Sequence, residues 1–269
     1  MKTRNLLILF VLSLMMAACG TTSTVPITGR KQSLMVDDAK ILSLSNEEYN
    51  KFMQTAKLSN DAQSTAMVER VGKRLASAVE TYLRSNGYAE ELKNFQWSFK
   101  LVQNNSANAF CLPGGKIVVY DGLLKYTQDE PSLAIVLGHE IAHAVAKHSA
   151  EQMSKQIKQQ YGAQVLGGVL SVAGADANLS TLAQTGYGLG AQFSSLHYSR
   201  SHENEADYMG LIFAAMAGYD PSVAITFWQR MASGKTSSQP EFLSTHPSDA
   251  TRISNIKKRL PDAQKYYKK

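Results

Sequence analysis

The chain has 269 residues, of which 44% are hydrophobic and 19% charged, so it carries enough apolar side chains for one large core or two small ones. This composition excludes a protein with several membrane-spanning helices, and its ordinary hydrophobicity excludes a disordered chain. The formal net charge of +6 includes Lys2 and Arg4, which lie in a segment that we expect to be removed, and the remaining excess is too small to indicate a nucleic-acid partner.

The first predicted element is a secretory signal peptide at residues 1–18. Lys2 and Arg4 precede an uncharged, mostly apolar run that is too short to span a bilayer. The sequence Met-Ala-Ala-Cys, which ends at Cys19, resembles the lipobox of bacterial lipoproteins, in which the cysteine is acylated and becomes the mature N-terminus. Because Gly20 replaces the aspartate that retains such lipoproteins in the inner membrane, the resemblance implies a lipid-anchored protein of the Gram-negative outer membrane that faces the periplasm. The alternative is an ordinary signal peptide in which Cys19 is incidental.

Residues 19–36 are polar and include Pro26 and Gly29, so we predict a tether that follows the lipidated N-terminus. With Cys19 acylated, Cys111 is the one remaining thiol, which excludes a disulfide within the chain. The apolar neighbours of Cys111 favour a buried, unreactive side chain.

Residues 37–269 are predicted to form one domain of the α+β class, mostly helical with a small sheet. Hydrophobic periodicity predicts helices over 37–58 and 65–83, alternation predicts a strand over 95–101, and segments 107–112 and 116–120 flank a Pro-Gly-Gly turn as a hairpin.

Further helices are predicted after this sheet. An acidic cap and Pro131 begin a long helix that is expected to run past Lys147, another covers 199–217, and Pro221 and Pro247 each mark the start of one more. Residues 161–190 are rich in glycine and poor in charge, so we predict an insert that forms a lid over the cleft, with membrane contact as the alternative.

The most informative motif, His139-Glu140-Ile141-Ala142-His143, falls within the long predicted helix. Because residues four apart share a helix face, both imidazoles can bind one metal ion. Glu140 lies about 100 degrees around the helix from His139, where its carboxylate can reach a metal-bound water without coordinating the metal. A chance occurrence in an amphipathic helix is the alternative for this short motif.

A hydrolytic zinc site needs a third protein ligand, and the predicted helix from Ser199 offers candidates. Glu203 and Asp207 are four residues apart, so one can bind the metal while the other accepts a hydrogen bond from a ligand imidazole. A closed structural zinc site fits badly, because such sites use mainly cysteine and histidine.

Four separated strings resemble the HExxH zinc metallopeptidases that include the CaaX prenyl proteases, HtpX and the periplasmic lipoprotein and outer-membrane-assembly proteases. They are NAFCLPGGKIVVYDGLL from Asn108, HEIAH from His139, SRSHENEAD from Ser199 and THPSDATRI from Thr245. The resemblance implies a zincin-like metalloprotease domain, one Zn²⁺ per chain, and a small sheet whose edge strand borders the active site.

The resemblance also implies roles for individual residues. Glu203 corresponds to the third zinc ligand beside His139 and His143, and Asp207 to the acid that orients a ligand imidazole. A substrate backbone is expected to lie on the edge strand at Asn108, Ala109 and Phe110.

His246 and Arg252 are expected near the metal, where either can stabilise the oxyanion while Glu140 acts as general base. Two alternatives remain for His246, which can close the open metal position and keep the enzyme latent, or pack before a proline turn. His148, His197 and His202 lie outside the ligand pattern and are interpreted as structural.

The predicted function is zinc-dependent proteolysis of misfolded or misassembled periplasmic and outer-membrane proteins. The alternative is a chaperone-like factor for outer-membrane-protein assembly, with latent or rare proteolysis. Glu140 favours the protease, because a binding module has no need of a general base. The expected partners are unfolded or misassembled proteins, the membrane through the lipid on Cys19, and the outer-membrane assembly machinery.

Overall fold

The computed structural model describes residues 21–170, 193, 197–233, 240–246 and 251–268. The predicted signal peptide, Cys19 and most of the 161–190 insert lie outside these ranges. None of the helices within them combines the length and apolar content needed to cross a bilayer.

The described chain is mostly helical with two small sheets, which confirms the α+β prediction. Its strands and helices, in chain order, are β1 (Thr21–Thr24), β2 (Lys31–Leu34), α1 (Asp38–Thr55), α2 (Ala62–Ser85), β3 (Ser98–Val102), β4 (Ala109–Leu112), β5 (Lys116–Tyr120), α3 (Leu124–Thr127), α4 (Glu130–Val145), α5 (His148–Leu170), α6 (Arg200–Met216), α7 (Val223–Ser233), α8 (Glu241–Thr245) and α9 (Arg252–Gln264). Short 3₁₀ helices lie at Ala89–Asn94 and Asp121–Leu123.

The larger sheet has the strand order β3-β5-β4, with β3 parallel and β4 antiparallel to the central strand. Strands β4 and β5 form the predicted hairpin, and its turn uses Gly114 and Gly115 with φ angles of +88° and +84°, which glycine adopts without steric cost. All four residues of the edge strand β4 are buried, because β4 packs against α4. The sheet therefore places a strand edge beside the helix that carries the HExxH motif.

Helix α4 lies at the centre of the main core, where Leu133, Val136 and Ile141 have no exposed area. It packs against α2, α6 and α7. The contact with α6 is very close, because a Cβ placed on Gly210 of α6 would lie 2.7 Å from the backbone nitrogen of His139, and one on Gly138 would lie 2.8 Å from the carbonyl oxygen of Gly210. Paired glycines thus let the two backbones touch where the predicted metal ligands lie.

Residues 21–34 are not the free tether that the sequence predicted. β1 and β2 pair in antiparallel register from Thr21↔Leu34 to Thr24↔Lys31, and Val25 between them is fully buried in the main core. Gln32 Nε2 also donates a hydrogen bond of 3.0 Å to the carbonyl of Ala146. The polar composition predicts a tether, but these contacts attach the hairpin to the domain.

The long helix predicted to run past Lys147 is instead two helices. α4 ends at Val145 and α5 begins at His148, because Lys147 between them has a φ of +55°. This left-handed conformation costs a non-glycine residue about 1–2 kcal/mol. Lys147 Nζ lies 2.8 Å from both Asp38 Oδ2 and Glu91 Oε2, and these ion pairs hold the residue in place.

Candidate metal centre

Helix α4 presents both histidines of the motif to one buried site. The helix begins at the cap predicted from the sequence, where Asp129 accepts a hydrogen bond of 2.8 Å from the backbone nitrogen of Ser132. The side chains of His139 and His143 are each 1% exposed, and their Nε2 atoms lie 3.1 Å apart. Both rings therefore direct the same nitrogen toward one point.

Glu203 of α6 and His246, just after α8, complete this group. Glu203 Oε2 lies 3.4 Å from His139 Nε2, and Glu203 Oε1 lies 3.5 Å from His143 Nε2. His246 Nδ1 lies 3.2 Å from His139 Nε2 and 3.1 Å from Glu203 Oε1. The four donors thus form a compact, buried cluster.

The spacing of these donors fits zinc. A Zn–N bond of about 2.0–2.1 Å in tetrahedral geometry places neighbouring ligand atoms about 3.3 Å apart. The five separations given above run from 3.1 to 3.5 Å, and all four donors lie within 4.8 Å of one another. Glu203 Oε2 is buried and has no hydrogen-bond partner among the described residues, as expected of an atom that binds a cation. Three nitrogens and a carboxylate are also a donor set that zinc prefers.

Asp207 and Arg252 orient the His139 ring from the side opposite the cluster. His139 Nδ1 donates a hydrogen bond of 2.9 Å to Asp207 Oδ1, so its Nε2 is left to face the cluster. Arg252 Nη2 donates to the same carboxylate at 2.7 Å, and its guanidinium stacks 3.5 Å from the centre of the Trp228 ring. Burial alone would raise the pKa of Asp207, but the charge of Arg252 and the hydrogen bond from His139 lower it, so the acid is ionised.

Glu140 lies beside the cluster and touches the edge strand. Its Oε2 accepts a hydrogen bond of 3.0 Å from the backbone nitrogen of Cys111 on β4. Its Oε1 lies 3.3 Å from His246 Nε2. Burial raises the pKa of the Glu140 carboxyl. The structure therefore brings the predicted general base next to the donors, and next to a strand on which a substrate could lie.

The predicted substrate strand is partly covered by α8. Phe242 donates its backbone N–H to the carbonyl of Ala107 at 2.9 Å, and Asn108 Nδ2 donates to Glu241 Oε1 at 3.2 Å. Ala109 lies on the same strand, but the Phe110 side chain packs against Phe52 in the smaller core. Binding of a substrate backbone at Asn108, Ala109 and Phe110 stays a prediction, and the carbonyl of Asn108 already accepts a hydrogen bond of 3.0 Å from Tyr120 of β5.

Sequence reasoning missed one set of residues around His143. His148 Nδ1 lies 2.9 Å from His143 Nδ1, and His148 Nε2 lies 3.0 Å from Glu205 Oε2. The Tyr198 ring stacks on His143 with centroids 4.0 Å apart. Burial lowers the pKa of His148 to about 4, so the ring is neutral at neutral pH.

In the single long helix that the sequence predicts, His148 is out of register with His139 and His143. The break at Lys147 turns its ring back toward His143. The other two histidines outside the ligand pattern lie in different environments. His202 stacks on His148 with centroids 4.4 Å apart, and His197 is exposed.

Comparison with known proteins gives a consistent match. The family model described as "Peptidase family M48" matches residues 62–260. The "Mitochondrial metalloendopeptidase OMA1" of Schizosaccharomyces pombe is 38% identical over 175 residues, which cover 64% of this chain and 49% of that protein.

Two further relatives match over more of the chain. The "Metalloendopeptidase OMA1, mitochondrial" of Homo sapiens is 32% identical over 246 residues, which cover 89% of this chain and 46% of that protein. The "Beta-barrel assembly-enhancing protease" of Escherichia coli is 27% identical over 250 residues, which cover 90% of this chain and 48% of that protein. The chain spans about half the length of the curated relatives it matches.

Proposed function

Because the chain belongs to peptidase family M48, we propose that it is a zinc endopeptidase. The observation that carries this proposal is the buried cluster of His139, His143, Glu203 and His246, whose donor atoms lie within 4.8 Å of one another, with Glu140 beside it. His139, His143 and Glu203 would hold the ion. Bound zinc would act as a Lewis acid that polarises a scissile carbonyl and makes water more acidic.

The other residues handle the proton and the substrate. Glu140 would accept a proton from the attacking water and pass it to the leaving amine, a role that contributes about 10²–10⁴-fold to rate. Asp207 would keep His139 in the tautomer that leaves Nε2 free. Arg252 would hold Asp207 in turn, since its guanidinium contacts that carboxylate. We therefore favour His246 over Arg252 as the group that stabilises the oxyanion.

A latent state is the second proposal, and it rests on the position of His246. In the described arrangement His246 joins the three proposed ligands as a fourth donor, and the backbone of Phe242 in α8 hydrogen-bonds to Ala107, just before the predicted substrate strand. Catalysis would need His246 to move away from the metal position so that water can enter. Replacing His246 by alanine should raise the access of water to the metal. Proton relaxation of the manganese- or cobalt-loaded protein measures that access. Replacing the exposed His197 by alanine is the control.

We propose misfolded or misassembled proteins of the periplasm and outer membrane as substrates. The predicted signal peptide, which Cys19 follows, supports this location, and the relative named for β-barrel assembly supports the substrate class. Because two of the relatives are named mitochondrial, the mitochondrion is the competing location. The chaperone-like alternative remains, because a strand edge serves binding as well as cleavage.

The lipid anchor is tested by labelling bacteria with radioactive palmitate. The wild-type chain should incorporate label and fractionate with the outer membrane, and Cys19→Ser should abolish both. Cys111→Ser is the matched control and should remain labelled. Equal labelling of the wild type and Cys19→Ser would exclude the anchor.

The activity is tested with Glu140→Gln, which removes the base and keeps the shape of the side chain. We expect zinc content equal to wild type, and cleavage of an unfolded outer-membrane β-barrel protein reduced by about 10²-fold or more. Glu69→Gln, which changes a surface glutamate that pairs with Lys73, is the control. Wild-type cleavage by Glu140→Gln would refute the mechanism. Full prevention of substrate aggregation by the inactive variant, together with normal β-barrel assembly in cells, would favour the chaperone.

A further inference from the structure

Arg30 joins the N-terminal hairpin to two acidic side chains of the helical domain. Its Nη1 and Nη2 donate to Glu151 at 2.9 and 2.7 Å, and its Nε donates to Glu205 Oε2 at 2.8 Å. Thr28 from the same turn donates its hydroxyl to the other oxygen of Glu205 at 2.6 Å. An arginine is suited to this role, because its planar fork can bind two carboxylates in fixed directions.

The contact continues from Glu205 to a predicted zinc ligand. Glu205 Oε2 lies 3.0 Å from His148 Nε2, and His148 Nδ1 lies 2.9 Å from His143 Nδ1. A carboxylate only accepts, so His148 donates from Nε2 and its Nδ1 is an acceptor. His143 must then donate from Nδ1, which leaves its Nε2 lone pair for the cluster. The chain of hydrogen bonds therefore selects the tautomer of His143 that can bind a metal.

The other ligand histidine is held in a comparable way. Arg252 binds Asp207, and Asp207 accepts the Nδ1 proton of His139. Each imidazole of the motif is thus oriented by a carboxylate that an arginine binds. Asp207 contacts His139 directly, whereas Glu205 reaches His143 through His148. His148 is fully buried and the Glu205 side chain is 8% exposed, so water cannot readily replace either partner.

We propose that Arg30 is a positioning residue for the zinc ligand His143, and that it acts through Glu205 and His148. This inference rests on the proposed zinc site. If so, the β1–β2 hairpin, which directly follows the predicted lipid anchor, helps to orient a ligand of the metal centre. An arginine that only attached the hairpin to the domain would affect stability without affecting the metal.

The test measures zinc affinity by competition with a chelator in the full chain, together with the visible spectrum of the cobalt-substituted protein. We compare wild type, Arg30→Met, His148→Phe and the double variant. We expect the zinc dissociation constant to rise about tenfold in Arg30→Met and about 10–100-fold in His148→Phe. The cobalt absorption bands should shift in both.

The double variant separates the two roles of Arg30. If Arg30 acts through His148, the double variant should bind zinc about as weakly as His148→Phe alone. If the two increases in the zinc dissociation constant multiply in the double variant, Arg30 acts by another route and the proposal is overturned. Arg70→Met is the matched control, because Arg70 pairs with Glu130 at the far end of α4 and is 57% exposed. It should leave affinity and spectrum unchanged.

A further variant covers the case in which Arg30→Met fails to fold. Glu205→Gln keeps the shape of the intermediate acid and removes its charge, and it should weaken zinc binding by about tenfold with a shifted cobalt spectrum. Wild-type affinity and spectrum in that variant would overturn the proposal. Absence of zinc binding in the wild-type chain would instead refute the proposed function, so the two failures are distinguishable.

Discussion

Replacing Gly210 by alanine tests whether the close crossing of α4 and α6 sets the geometry of the metal centre. The new Cβ would lie 2.7 Å from the backbone nitrogen of His139 and 2.9 Å from the carbonyl carbon of Gly138. Ordinary van der Waals contact begins at 3.4 Å, so the helices must part by about 0.7 Å. Both contacts are with backbone, so a side-chain rotation cannot relieve them.

The expected loss of stability follows from two opposing effects. Overpacking costs about 1–3 kcal/mol, and alanine regains about 1 kcal/mol of helix propensity over glycine. A net loss of up to about 2 kcal/mol is therefore expected for the zinc-free protein. Zinc binding should weaken as well, by at least about tenfold, because Glu203 on α6 moves away from His139 and His143 on α4.

Urea unfolding of the zinc-free protein and chelator competition measure the two effects separately. Gly72→Ala is the matched control. Gly72 lies on α2, a helix that carries none of the described donors, and its new Cβ would clash with the Phe99 ring of β3. It should lower stability and leave zinc affinity within about twofold of wild type. A Gly210→Ala protein that binds zinc as wild type does would refute the link between helix crossing and metal geometry.

Three further predictions concern single side chains. Asp207→Asn should weaken zinc binding about 10–100-fold, measured by chelator competition, because an amide can stabilise the wrong tautomer of His139; unchanged affinity would contradict the assignment. Burial would raise the pKa of Glu151, but hydrogen bonds from His202 and Arg30 lower it from 4.5 to about 2. Its ionised form therefore stabilises the fold above pH 4.5, and in urea unfolding the advantage of wild type over Glu151→Gln should disappear as the pH falls toward 2; an advantage that does not vary with pH would be inconsistent. Burial also raises the pKa of the Cys111 thiol, so in a Cys19→Ser background a thiol reagent should label Cys111 only after unfolding, and rapid labelling of the folded protein would show that the thiol is accessible.

The parts of the site that could be predicted from sequence are those set by local periodicity. The four-residue spacing of His139 and His143 implied that both rings share a helix face, and the spacing of Glu203 and Asp207 implied one ligand and one supporting acid. Which acid takes which role did not follow from spacing, and came from the resemblance to known peptidases. In the structure Glu203 contacts both Nε2 atoms, while Asp207 contacts His139 Nδ1.

The missed parts depend on tertiary contacts that leave no periodic pattern. The hairpin at residues 21–34 is polar, and it is ordered by hydrogen bonds to Glu151 and Glu205, which lie far along the chain. The crossing at Gly138 and Gly210 requires two separate glycines to meet, and a single helical glycine gives no indication of its partner.

Lys147, the left-handed residue between α4 and α5, connects two partly exposed carboxylates to the buried histidines. In one unbroken helix His148 would project about 140 degrees around the axis from His143, too far for the rings to meet. Asp38 and Glu91, which belong to α1 and the 3₁₀ helix at Ala89–Asn94, hold Lys147 where the chain changes direction. Two carboxylates outside the metal cluster thus stabilise the break between α4 and α5, and the break is what allows His148 to accept the hydrogen bond from His143.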